Sequence, residues 1–146
     1  MILIDVNLLL HATLKNSRDH LQSRAWLEAC FTRYARVGLP WHSLLGFVRI
    51  VTHPRLAAPP ISTKVAWEQV EDWLDQDSAW VPLPTEFHRP TLRRLLSASR
   101  ASGNLVPDAH LAALAIEHGL TLCTTDTDFA AFPGLRWENP LIQPED

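Results

Sequence analysis

Leu120-Thr121-Leu122-Cys123-Thr124-Thr125-Asp126-Thr127-Asp128 decides the fold. Residues 120–124 are an apolar run of strand length, and two acids follow it at once. Upstream, Pro107 suits the first turn of a helix running to His118, and Gly119 ends that helix. The chain opens in the same way, with residues 1–4 apolar and stopping at Asp5. Val37–Trp41, Trp80–Leu83 and Leu135–Trp137 are further short apolar runs, the last an edge strand. Helical spacing fills the intervals 19–36, 43–53, 62–76 and 86–101. Strands alternating with helices predict a three-layer α/β domain, a mainly parallel sheet of four or five strands flanked by helices. Such sheets bind ligands beyond the carboxyl ends of their strands, where this sequence puts its acids.

The spacing predicts inward faces. These are Leu21, Ala25, Trp26, Ala29, Cys30 and Arg33 on the first helix, and Leu44, Phe47, Val48 and Val51 on the second. Ser62 is placed to cap the third, which turns Val65, Trp67, Val70, Trp73 and Leu74 inward. Phe87, Leu92, Leu95 and Leu96 are expected buried on the fourth. The 146 residues, 47% hydrophobic and 20% charged, suit one globular domain spanning 1–146 and exclude a disordered chain. No apolar stretch reaches membrane-spanning length, and the N-terminus lacks a basic region before its apolar run, so a cytoplasmic protein is expected. Cys30 and Cys123 sit in apolar runs, as buried free thiols do. The net charge of −3 argues against a general nucleic-acid coat. It leaves a nucleic-acid enzyme open, because the acids concentrate in 62–78.

Each acid at the strand ends has an ordinary structural reading. Asp5, with Asn7, suits a helix cap. Asp108 in a first helical turn complements the macrodipole, and Asp126 and Asp128 suit a turn. Together they say more, because three separate segments deliver carboxylates to one sheet edge. Such a cluster repels itself unless cations neutralise it. Hard oxygen ligands select Mg²⁺ or Mn²⁺, ions suited to phosphodiester hydrolysis.

Four segments in register resemble the PIN domain family. They are Ile2-Leu-Ile-Asp5-Val-Asn7, Gly103-Asn-Leu-Val-Pro-Asp108-Ala-His-Leu, Thr124-Thr-Asp126-Thr-Asp128-Phe129 and Phe132-Pro-Gly-Leu-Arg-Trp137. The likeness is nearest to the compact VapC-type toxins of toxin–antitoxin pairs. It implies a divalent-metal-dependent endoribonuclease using water activated by the ion and leaving 5′-phosphate and 3′-hydroxyl ends. It further implies Asp5, Asp108, Asp126 and Asp128 as catalytic metal ligands, with Asn7 and Thr125 orienting them. A cognate antitoxin, an RNA substrate and a homodimer through tryptophan-rich helices are the implied partners. Many PIN nucleases carry a Glu near Gly46, where this chain has none. On the same helix His42 either supplies a ligand or serves as a surface or capping residue. Arg49 either touches RNA phosphate or pairs with an acid. Arg89, Arg93, Arg94 and Arg100 form either a solvated face or a phosphate-contacting rim. His110 and His118 are expected in solvent-facing or structural roles. The alternative is a catalytically weak or inactive PIN-like module that binds RNA or a partner. A phosphatase with two acids at the first strand is disfavoured, since the second position is Asn7.

Overall fold

The computed structural model describes residues 1–142. Five short strands, β1 (Ile2–Ile4), β2 (Val37–Gly38), β3 (Ala79–Trp80), β4 (Thr121–Cys123) and β5 (Trp137–Glu138), form one sheet in the order β3-β2-β1-β4-β5. Every pairing is parallel, and the register sets Ile2 opposite Val37 on one side and Thr121 on the other. The expected strand count is resolved as five, flanked by six helices. These are α1 (Val6–Thr13), α2 (His20–Arg33), α3 (Trp41–Val51), α4 (Thr63–Leu74), α5 (His88–Ser99) and α6 (Leu105–Glu117).

The period of two in the strands builds the three layers. Ile2, Ile4 and Cys123 face one side, where they pack with Leu8 and Leu9 of α1, Leu27 of α2, Phe47 of α3 and Val70 of α4. Leu3 and Leu122 face the other, against Leu95 of α5 and Ala109 to Ala115 of α6. That stretch of α6 is apolar almost all round because it is enclosed between the sheet and α5. Ser62 caps α4 as its sequence predicts, accepting from Val65 N–H at 3.2 Å. Among the described residues no helix is long and apolar enough to cross a membrane.

Several local expectations are corrected. Residues 6–13 form α1, the helix that a cap at Asp5 implies but whose extent the apolar run does not mark. This helix changes what α2 packs against. The buried face of α2 is Ser23, Leu27 and Cys30, and Leu21 is 80% exposed. Ser23 sits inside because its hydroxyl donates to the carbonyl of Leu8 at 3.0 Å. On α4 the buried face is Ala66, Val70 and Trp73, leaving Val65 and Trp67 outside. Phe87 precedes α5 and is 60% exposed.

Gly38 has a packing reason. A Cβ there would lie 2.9 Å from Leu3 Cδ1 and 3.1 Å from the Ile2 carbonyl oxygen. Gly38→Ala is therefore expected to destabilise the protein by about 1–3 kcal/mol, as overpacking does. Urea unfolding measures it, and an unchanged midpoint would contradict the close strand approach.

Candidate active site

The strand order reverses at the centre of the sheet, since β1 leads to β2 on one side and pairs with β4 on the other. Such a switch opens a crevice at the carboxyl ends of the two strands. Asp5 follows β1 and Thr124 follows β4 directly. The ladder runs as far as the acid, whose N–H donates to the Cys123 carbonyl at 3.0 Å.

Asp5 is only 6% exposed, and both its oxygens are engaged. Oδ1 accepts from Val6 N–H at 2.7 Å, capping α1, and Oδ2 accepts from the Thr124 hydroxyl at 2.7 Å. The capping and site readings of Asp5 thus use different oxygens of one carboxylate. The Thr124 hydroxyl also accepts from Asn7 Nδ2 at 3.1 Å and from Asp126 N–H at 3.0 Å. That uses its one donor and both its acceptor positions. Asn7 Oδ1 in turn accepts from Thr125 N–H at 3.3 Å. Asp126 Oδ1 accepts from Asp128 N–H at 2.9 Å and caps the short 3-10 turn Thr127–Ala131.

Thr124 is thus the hub of the network, a residue that opens the last acidic motif but to which the sequence assigns no role. Thr125 enters the network through its backbone N–H. The available signal was position: the first residue after a buried parallel strand stands level with the acid that ends its neighbour.

Charge ties Asp108 to the same place. Burial raises the Asp5 carboxyl, with repulsion from Asp126 adding to it. The Thr124 and Val6 hydrogen bonds and the nearby His42 act in the opposite direction. Asp108, in the first turn of α6, is pushed up to about 6. Burial is the larger cause, followed by the charges of Asp5, Asp126 and Asp128. Four acids from three segments therefore lie within reach of one another's fields. Among the described residues no group of three or more His, Cys, Asp or Glu side chains is gathered tightly enough to hold an ion as it stands. A shared cation would have to draw the carboxylates inward.

Gly46 leaves α3 without a carboxylate. A Cβ there would stand 3.3 Å from Val6 Cγ2, so the bare backbone lets α3 lie close to α1. Arg49 is exposed and makes no ion pair among the described residues. Arg89, Arg93 and Arg100 are also exposed, and Arg94 donates to the Pro133 carbonyl at 3.3 Å. His118 Nε2 bonds the Leu83 carbonyl at 2.7 Å. Cys30 and Cys123 are buried free thiols whose pKa values burial pushes up, away from reactivity.

The PIN domain family model matches residues 2–135. Ribonuclease VapC37 of Mycobacterium tuberculosis is 41% identical over 140 residues, covering 96% of this chain and 97% of that protein. The fold is similar to that of VapBC2 from Rickettsia felis, solved bound to a promoter DNA fragment. There the TM-score is 0.69 at 17% identity, over 95% of this chain and 98% of that one. FitAcB from Neisseria gonorrhoeae gives 0.67 at 22% identity, over 96% and 98%.

The raised Asp108 pKa has a stability consequence. A carboxyl raised from 3.8 to about 6 on folding stabilises the folded protein below about pH 4, and loses that effect as pH rises through 6. Above pH 6 its charge is a burden on the metal-free protein. Asp108→Asn should therefore raise the metal-free melting midpoint at pH 7.5. The gain is worth about 1 kcal/mol once solvent screening of this half-buried group is allowed for. The gap should close as pH falls from 6 to 4. A midpoint difference independent of pH, read by thermal melts in EDTA, would show that neither burial nor the neighbouring acids raise the Asp108 carboxyl.

Proposed function

The chain is a PIN-domain protein of the VapC type, and from that premise we propose that it is a divalent-metal-dependent endoribonuclease, the toxin of a toxin–antitoxin pair. One observation carries the chemistry. Asp5 at the end of β1 and Asp126 after β4 are joined through the Thr124 hydroxyl at the crevice, and Asp108 in the first turn of α6 lies within reach of both charges. The relatives' name, ribonuclease, supplies the substrate class.

The donor set is all oxygen, which fits Mg²⁺ or Mn²⁺. Asp5, Asp108, Asp126 and Asp128 are the residues that would hold the ion. When bound, it would lower the pKa of a water and offset charge on the scissile phosphate. The chain's own contribution is orientation. Thr124 fixes Oδ2 of Asp5 and the backbone of Asp126 through one hydroxyl, and Asn7 locks that hydroxyl and the Thr125 backbone. Ligand carboxylates held in this way keep their geometry when charge develops. Arg49, exposed and unpaired among the described residues, suits a phosphate contact.

The partners follow from the surface. A groove of about 450 Å³ runs between α1, α2 and α4, floored by Leu27, Phe31 and Trp73 and rimmed by Lys15, Arg24 and Asp72. It suits the tail of a cognate antitoxin. Trp41 and Trp67 stack at 6.3 Å with their planes 7° apart, and they stand exposed with Leu45 and Val65. That patch suits a second copy of the chain in a homodimer.

The test is RNA cleavage by the purified chain freed of any partner, in Mg²⁺ or Mn²⁺ with an EDTA control. Asp5→Asn and Asp108→Asn, each shown to be folded, should lose activity about a hundredfold or more. Thr124→Val should lose about tenfold to a hundredfold through the carboxylates it orients. Absence of cleavage by folded wild-type protein across RNA pools would replace this reading with a binding module whose chemistry ended at Gly46. Equal cleavage by the aspartate variants would mean that the site lies elsewhere.

A further inference from the structure

A second line of titratable side chains lies beside the acid cluster, unused by the reading above. It starts at Glu117, the last residue of α6, whose side chain is fully buried. Glu117 Oε1 accepts from Thr85 N–H at 2.7 Å, and Oε2 lies 2.8 Å from His88 Nδ1. His88 opens α5, and its Nε2 lies 2.9 Å from Nδ1 of His110. The His110 ring meets the ring of His42 edge-on, with centroids 5.9 Å apart and planes at 68°. His42 stands one helical turn before Gly46, on the face of α3 that approaches Val6 beside Asp5. The line thus runs from a buried carboxylate out to the edge of the crevice.

The chemistry of each link fixes the next. A carboxylate only accepts, so His88 Nδ1 carries its proton. A neutral His88 then has a bare Nε2, and His110 must donate to it from Nδ1. One buried acid thereby sets the tautomer and ring plane of two histidines in succession. Satisfying the Thr85 N–H alone would require none of this, and burying a carboxylate is costly.

We propose that Glu117, His88 and His110 position His42, and that His42 donates a hydrogen bond to a phosphate oxygen of the RNA lying at the crevice. The RNA part rests on the ribonuclease reading above. His42 would then be the residue through which α3 serves the site, one turn from the position where Gly46 leaves no side chain. Glu117, His88 and His110 touch no substrate and are positioning residues.

Two measurements test this on the full chain. Nitrogen-15 NMR of the imidazoles at pH 8 should show protonated Nδ1 on both His88 and His110. Glu117→Gln cannot accept from both Thr85 and His88 in the original way, so it should invert or release those tautomers. Binding is read by fluorescence anisotropy with mixed-sequence single-stranded RNA, in EDTA and in the Asp108→Asn background, so that no cleavage intervenes. His42→Ala should weaken binding about tenfold, as loss of a hydrogen bond to a charged group does. His42→Gln, which keeps a donor at similar reach, should restore most of it. Glu117→Gln should weaken binding several-fold, but not further once His42 is Ala. Should Glu117→Gln not fold, His88→Asn keeps the bond to Glu117, removes the next link, and carries the same expectation.

Unchanged imidazole signals, unchanged binding by His42→Ala, absence of wild-type binding, or losses that simply multiply would each overturn the proposal. The two readings separate cleanly. Cleavage that depends on Asp5 alongside an indifferent His42 sinks this inference alone. Coupled binding through His42 without metal-dependent cleavage sinks the nuclease chemistry and leaves the contact standing.

Discussion

The hydrogen bond from the Thr124 hydroxyl to Asp5 joins the two central strands at the point where their ladder ends. Without it a carboxylate would sit almost enclosed between β1 and β4 with one oxygen unpaired, and burial already raises its pKa. An unsatisfied buried acceptor costs about 1–3 kcal/mol, and more when charged. The same hydroxyl receives Asn7 and the Asp126 backbone, so loss of the threonine would loosen α1, β4 and the following turn together. The fold and the site therefore share one atom.

The layers exist to hold that edge. Ala109, Ala112, Ala113 and Ala115 let α6 lie close in its layer, and this fixes Asp108 in its first turn facing the other acids. Larger side chains on that helix would lift it away and separate the carboxylates. The repulsion among them is opposed by packing far from the crevice, so charge strain at the site and the alanine-rich core belong to one design.

Much of this was legible in the sequence because the signals were local. The strand end at Asp5, the acidic turn at Asp126 after β4, the cap at Ser62 and the stop at Gly119 are each declared by a few adjacent residues, and the structure has them all. What the sequence hid was tertiary. Residues 6–13 are apolar on nearly every side and continue the apolar first strand, so no period of 3.6 separates helix from strand. With α1 marked only by its cap, the inward face of α2 was unreadable, because Ser23 is buried by a bond to Leu8. Thr124 stands in a motif whose acids draw the attention, and its role appears only when β4 is set beside β1. The line from Glu117 to His42 draws on three helices, so no spacing along the chain announces it.

Gly46 links these scales. The glycine keeps α3 against Val6, the residue whose N–H caps onto Asp5. A glutamate at this position would need more than a longer side chain. Its Cβ would stand 3.3 Å from Val6 Cγ2, a contact that the Val6 side chain must relieve by a few tenths of an ångström. The carboxylate supply is thus confined to β1, α6 and the turn after β4. Position 46 therefore bears on the approach of α3 to α1, next to the residue whose N–H caps onto Asp5.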